Sequence, residues 1–213
     1  IVMREGDWHE AAQMTYAALN DGTMLPLTEP WGIFSIRMDA RKSGDYTRAR
    51  AVLEKMSGVT WSASGVPTLP TQLGSATPTV ALGDLLIASG DRARGERLLR
   101  ASLADMNYLI HDLKRGDLWY VNDQAIALAL LGDSKGSLAA LRKLVSNGTL
   151  DLMSPVEFDP ALSALRGDAE FQAVLHDIKQ VYARERHLLD QMRAAGRIPH
   201  RAPLAALPGP ATR

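Results

Sequence analysis

The stretch "ALGDLLIASGDRARGERLLRASL", Ala81 to Leu103, decides how the chain folds. An apolar run leads into Gly90-Asp91, and a second run with leucines at helical spacing follows. Glycine ends a helix because it accepts the left-handed conformation without strain. Aspartate then starts the next helix, accepting a bond from a free backbone N–H and favouring the positive helix end. A joint this short turns the second helix back along the first. Gly95, five residues after the turn glycine, permits close approach one turn in, and Leu99, nine after it, suits the inner face. Gly83, seven before the turn, offers the same close approach from the incoming helix.

The turn recurs. Gly-Asp pairs stand at 6–7, 44–45, 90–91 and 132–133, at intervals of 38, 46 and 42 residues. The fifth residue after each glycine is Ala11, Ala49, Gly95 or Ser137, all small. The ninth is Thr15, Leu53, Leu99 or Leu141. Seven before the last turn stands Ala125, but the corresponding residue before Gly44 is Arg37, which breaks the pattern. These phased turns predict a lone helix over 7–20 and three hairpins. The hairpins pair 30–43 with 45–57, 78–89 with 91–114, and 118–131 with 133–147. Pro30 and Thr77-Pro78 open two of the incoming helices. The helix at 7–20 is the second half of a hairpin, and its first half is expected upstream of Ile1.

Residues 57–77, "SGVTWSASGVPTLPTQLGSAT", interrupt the series without helical period. A stretch of this length inside a compact domain is functional or disordered. Trp61 and Leu69 suggest that it packs somewhere. Beyond Gly148 the pattern changes to successive caps. Ser154-Pro155 with Glu157 forms a capping box, Asp159-Pro160 starts a short helix, and Asp168 starts a long one over 168–195. That last helix would be about 40 Å long. Its apolar row is Phe171, Leu175, Ile178, Tyr182, Leu189 and Met192. Residues 148–196 therefore read as capping helices, and 197–213, rich in Pro and Ala, as a flexible tail.

The whole is expected to be all-α. Of its 213 residues 46% are apolar and 23% charged, and 24 Lys and Arg balance 24 Asp and Glu. That balance gives no field favouring nucleic acid or an anionic membrane. No run approaches the ~18 apolar residues of a membrane span, and the start lacks a signal-peptide pattern. The absence of cysteine removes disulfides, thiolate nucleophiles and cysteine zinc sites. It fits the cytoplasm, and a periplasmic place follows only if a membrane span precedes the chain.

With its helix–turn–helix unit and small residue in each helix, the region 1–147 resembles the tetratricopeptide repeat (TPR), whose helix pairs stack into an α-solenoid. The long last helix is then the cap of the stack. The segment "FDPALSALRGDAEFQAVL" is similar to the DP-x-F-x-x-L-R-x-D-P-x-F ending of repeat arrays in bacterial multidomain signalling proteins. The matching residues are Asp159, Pro160, Leu162, Leu165, Arg166, Asp168 and Phe171, while Ala169 replaces the second proline. In those proteins the arrays follow a winged-helix DNA-binding, nucleotide cyclase or kinase domain. The resemblance implies that each hairpin's first helix lines a groove. Its groove positions fall on Trp31, Phe34, Met38, Arg41 and Lys42, then Thr77, Val80, Asp84 and Ile87, then Trp119, Asn122, Ile126 and Ala129. Aromatic residues and Arg are types that dominate binding energy. The carboxylate clamp of chaperone-binding members is not reproduced.

Catalytic signatures are weak. "GDSKG", 132–136, has the spacing of a hydrolase nucleophile elbow but lacks the preceding strand. "GDRARGE" has P-loop glycines but Glu96 where lysine is needed. No two of the five histidines stand at helical metal-pair spacing. The arginines at 184, 186, 193, 197 and 201 read as a solvated helix end, and without interleaved aromatics they make no nucleic-acid site.

The expectation is a non-enzymatic module without cofactor or metal. It binds a protein or peptide segment and belongs to a larger bacterial signalling protein such as a transcriptional regulator. Trp31, Phe34, Met38, Arg41, Lys42, Asp84, Trp119 and Asn122 are the groove residues. A homodimer through Phe171, Ile178, Tyr182, Leu189 and Met192 is a separate expectation. The alternative is a small-ligand sensor with the 57–77 loop closing the groove, and an enzyme ranks last.

Overall fold

The computed structural model describes residues 7–24, 29–70, 76–114, 118–147 and 156–198, without the side chains of 118 and 119. It is predominantly helical. The helices are α1 (Trp8–Asn20), α2 (Glu29–Ser43), α3 (Thr47–Ser57), α4 (Ala76–Ala88), α5 (Arg92–Asn107), α6 (Leu118–Leu130), α7 (Ser134–Ser146) and α8 (Ala169–Ala194). The helix after Asp91 was expected to reach 114. Its α-helical part ends at Asn107 and a π-helical turn, Tyr108–Asp112, carries it on. A 3-10 helix, Pro160–Leu165, follows the Asp159 cap. Ser154 and Pro155 of the expected capping box, and the tail beyond 198, lie outside the described residues.

The turns work as their chemistry dictates. Gly90 and Gly132 are left-handed, at φ +94° and +84°. The amides of Asp91 and Asp133 reach back to Leu86 O and Leu128 O, each at 2.9 Å, closing the helix ends. The aspartates then accept the amides of Arg94 and Gly136 at 3.4 and 2.9 Å, and Asp7 does the same for Glu10 at 3.0 Å. The turn at Gly44 differs from expectation. Asp45 is not the cap of α3: its carboxylate takes the amide of Thr47, where the helix begins. The Asp45 amide goes to Ser43 Oγ instead of back to the backbone of α2.

Packing follows the small residues. A Cβ on Gly95 would stand 2.6 Å from Ile87 Cγ1 and 2.8 Å from the Gly83 carbonyl oxygen, and one on Gly83 would stand 2.7 Å from Leu99. The Ser137 hydroxyl donates across the next hairpin to Ala125 O at 2.7 Å. So α4 lies close along α5, and α6 along α7, whereas α2 and α3 share few contacts. Arg37 occupies the position in α2 that close pairing needs small. Helix α3 leans on α4 instead, and Ala49 and Leu53 join a core with Leu82, Leu85 and Leu86.

The result is two layers. Helices α2, α4 and α6 lie side by side, and α1, α3 and α5 each pack on the following even-numbered helix. Helix α7 covers α6, and α8 covers α7. The proximal part of α8 is truly internal: Phe171, Val174, Leu175 and Ile178 share a core with Leu141, Leu144, Leu162 and Leu165. From residue 183 to 191 α8 is exposed.

The 57–77 segment contains regular structure that its composition does not advertise. Strands β1 (Thr60–Trp61) and β2 (Pro67–Thr68) pair antiparallel. The Arg94 guanidinium lies 4.1 Å from the centre of the Trp61 ring, and Arg97 Nε donates to Gly65 O at 2.8 Å. Trp61 and Leu69, like Val52 and Met56 of α3, pack against the core that contains Leu53 and Leu82. Residues 58–70 therefore sit against α3 and α5, in the layer opposite to α2, α4 and α6.

Replacing Gly95 with alanine is expected to lower stability despite the ~1 kcal/mol gain in helix propensity. The added methyl meets a backbone carbonyl that cannot rotate away, and such overpacking costs about 1–3 kcal/mol. The urea midpoint of Gly95→Ala against the parent measures it.

Candidate functional site

Each of the three side-by-side helices carries one charged residue part-way along an otherwise apolar face: Arg37 on α2, Asp84 on α4 and Asp123 on α6. All three are buried. A fourth, Asp159, arrives from the far end of the chain. Its place is fixed locally, since Pro160 presets the first turn of the 3-10 helix and Asp159 Oδ1 accepts the Ala161 amide at 2.9 Å. That helix packs on α6, which brings the other carboxylate oxygen to Arg37.

Arg37 is the hub. Its Nη2 donates to Asp159 Oδ2, and its Nη1 donates to Asp84 Oδ2 at 3.3 Å. Asp84 Oδ1 accepts no hydrogen bond, and its nearest cation is Arg41 Nη1 at 3.7 Å. Asp123 Oδ2 accepts from the Thr77 hydroxyl at 2.6 Å.

Electrostatics decides the protonation. Burial opposes the charge on Arg37, but Asp159 and Asp84 outweigh it and raise its pKa, so it stays cationic. Burial also raises Asp84 above the usual carboxylate range, against the pull of Arg37 and Arg41. Among the described residues no cation is in contact with Asp123. Burial pushes its pKa up to about 7, Thr77 and Arg37 pull it down, and Asp159 adds to the rise.

Over this network a cleft opens between α2, α4 and α6. Pro30, Trp31, Phe34, Val80, Asn122 and Ile126 line it, with Arg37, Thr77 and Asp123 as its charged and polar part. Its volume is about 30 Å³, enough for one or two waters. Phe34 is held from two sides. The Trp8 ring meets it edge-on at 5.4 Å, and the Arg37 guanidinium stands 5.3 Å from its centre.

The expected groove residues divide. Trp31, Phe34 and Asn122 meet at the cleft, with Thr77, Val80 and Ile126. Met38 is buried and does not line it. Lys42 is exposed at the end of α2, and Arg41 is partly exposed beside Asp84. Asp84 does not face a ligand; it is fully buried and paired with the two arginines. Ile87 packs beside Leu99 and Leu103, and Ala129 against the C-terminal core. The Trp119 side chain lies outside the described residues. Of the self-association set, Phe171 and Ile178 are buried in the core of the same chain, and Tyr182 packs against it. Leu189 is exposed and Met192 half-buried.

Arg37, Asp123 and Asp159 were not expected at a site. The usable signal was their sign and place: an arginine where a small residue belongs, and lone aspartates in apolar helices.

No family model, curated protein or solved structure matches the chain. Among the described residues no group of three or more His, Asp or Glu could hold a metal ion. No helix among them is long and apolar enough to cross a membrane.

Two outcomes follow from the network. Arg37→Met strands two buried carboxylates and is expected to cost about 3–5 kcal/mol; adding Asp84→Asn and Asp159→Asn recovers much of it, as urea unfolding would show. Folded Asp123 keeps its proton to about pH 7, whereas its ordinary pKa is 3.8. The folded state thus binds the extra proton between these values. Its stabilising effect is full below pH 3.8 and is lost as pH rises to about 7. Asp123→Asn should flatten that fall in melting temperature.

Proposed function

We propose that the chain is a non-catalytic, TPR-like interaction module of a larger bacterial signalling protein, and that it binds a peptide segment in the cleft between α2, α4 and α6. The observation that carries this reading is the convergence of Trp31, Phe34 and Asn122, from two helices far apart in sequence, on one opening. Recurrent helix–turn–helix units with their first helices side by side support the family likeness. The closing segment supports it too, because its aspartate, Asp159, ties the end of the series to Arg37.

The small-ligand reading has less support. The described part of the 57–77 segment packs on α3 and α5 and does not close the cleft. The exposed distal part of α8, with Leu188 and Leu189, remains the surface for self-association.

Peptides selected from a random library on the immobilised whole chain test the cleft. The double substitution Trp31→Ala and Asn122→Ala is expected to weaken them at least tenfold, about 1.4 kcal/mol, with little change in melting temperature. Undiminished binding to a folded double variant would overturn the proposal.

A further inference from the structure

The cleft contains a carboxyl group with a single hydrogen bond among the described residues. Asp123 is 3% exposed, and that bond comes from Thr77 to Oδ2. No described donor reaches Oδ1. Both cations nearby are engaged elsewhere: Arg37 with Asp84 and Asp159, Arg41 with Asp84. Three buried carboxyls thus face one fully buried guanidinium and one partly exposed one. With all of them ionised, the group lacks one positive charge.

The walls favour the same sign. Trp31 and Phe34 flank the opening, and aromatic faces attract cations. An anion is disfavoured, because the Nη atoms of Arg37 are already bonded to carboxylates and Asp123 would repel it. A guanidinium is planar, with five N–H groups to satisfy. An ammonium is compact, and it follows an apolar stem that suits Pro30, Val80 and Ile126. The narrow cleft, about 30 Å³, suits the compact ammonium better than the broader guanidinium.

We propose that the cleft binds a primary alkylammonium, the side chain of a lysine in the partner peptide, with Asp123 as its counter-ion. This rests on the cleft being the peptide site. The chemistry is an exchange of charge: the incoming ammonium forms an ion pair with the Asp123 carboxylate, and the proton that Asp123 held leaves to solvent. Binding therefore strengthens as pH rises through 7. The other charged groups facing Asp123 are Arg37 and Arg41 from α2, Asp84 from α4 and Asp159 from the 3-10 helix. Of these, Arg37 stays cationic across that range.

The test uses the whole chain and n-pentylamine, which carries the lysine side chain's ammonium and stem. Amide chemical shifts of Trp31, Val80 and Ile126 are followed by NMR at pH 6 and pH 8. The expected result is saturable binding at roughly millimolar concentration, several-fold tighter at pH 8, with 1-pentanol causing no saturable shift. Asp123→Asn, which keeps an acceptor for Thr77, should weaken binding on the order of tenfold. The pH dependence of the parent chain needs no variant and stands as an independent measurement. Equal binding of pentanol, no saturable shift, or no pH dependence overturns the proposal. Library-selected peptides supply the second arm, in which lysine is enriched and Lys→norleucine loses about tenfold. Peptides that depend on Trp31 and Asn122 but not on lysine would overturn the ammonium while leaving the cleft reading intact. Peptides indifferent to both residues would overturn the two together.

Discussion

The structure depends on one buried cation. Arg37 sits where a small residue would have let α2 close on α3, and its charge must be neutralised because burying an unpaired ion costs several kcal/mol. Asp84 pairs with it from α4. Asp159, 122 positions away in the chain, pairs with its other terminal nitrogen. The Arg37–Asp159 bridge joins α2 to the 3-10 helix, so two elements far apart in sequence stabilise each other.

The same substitution shapes the cleft. Because α3 leans on α4 and shares little surface with α2, the guanidinium is turned toward α4 and the arriving 3-10 helix. There it supports the Phe34 ring and leaves Asp123 without a cation of its own. A break in a packing pattern and a polarised opening thus have one cause.

Most of the helical layout was legible because Gly-Asp turns are local chemistry: a left-handed glycine, a capping carboxylate and a small residue one turn in. The exception at Asp45 is physical as well. Without close helix contact the turn is not pulled tight, and the helix starts one residue later than at the other Gly-Asp turns. The β1–β2 hairpin was illegible because its strands are two residues long and are held by Arg94 and Arg97 from a distant helix. The site was half legible. Trp31, Phe34 and Asn122 follow from position in a repeat. The pairing of Arg37 with Asp159 depends on tertiary closure, which no local spacing encodes.

Helix α8 is continuous in hydrogen bonding but not in support. Its first turns bury Phe171, Val174, Leu175 and Ile178, whereas residues 183–191 are exposed. There the stabilising contacts are local, such as Gln191 with His187 and Arg193 with Asp190, each worth a few tenths of a kcal/mol. An unsupported helical stretch of this length is marginal in water. One helix therefore spans two kinetic regimes: amide protons near Leu175 and Ile178 exchange only when the core opens, while those a few turns on exchange by local fraying.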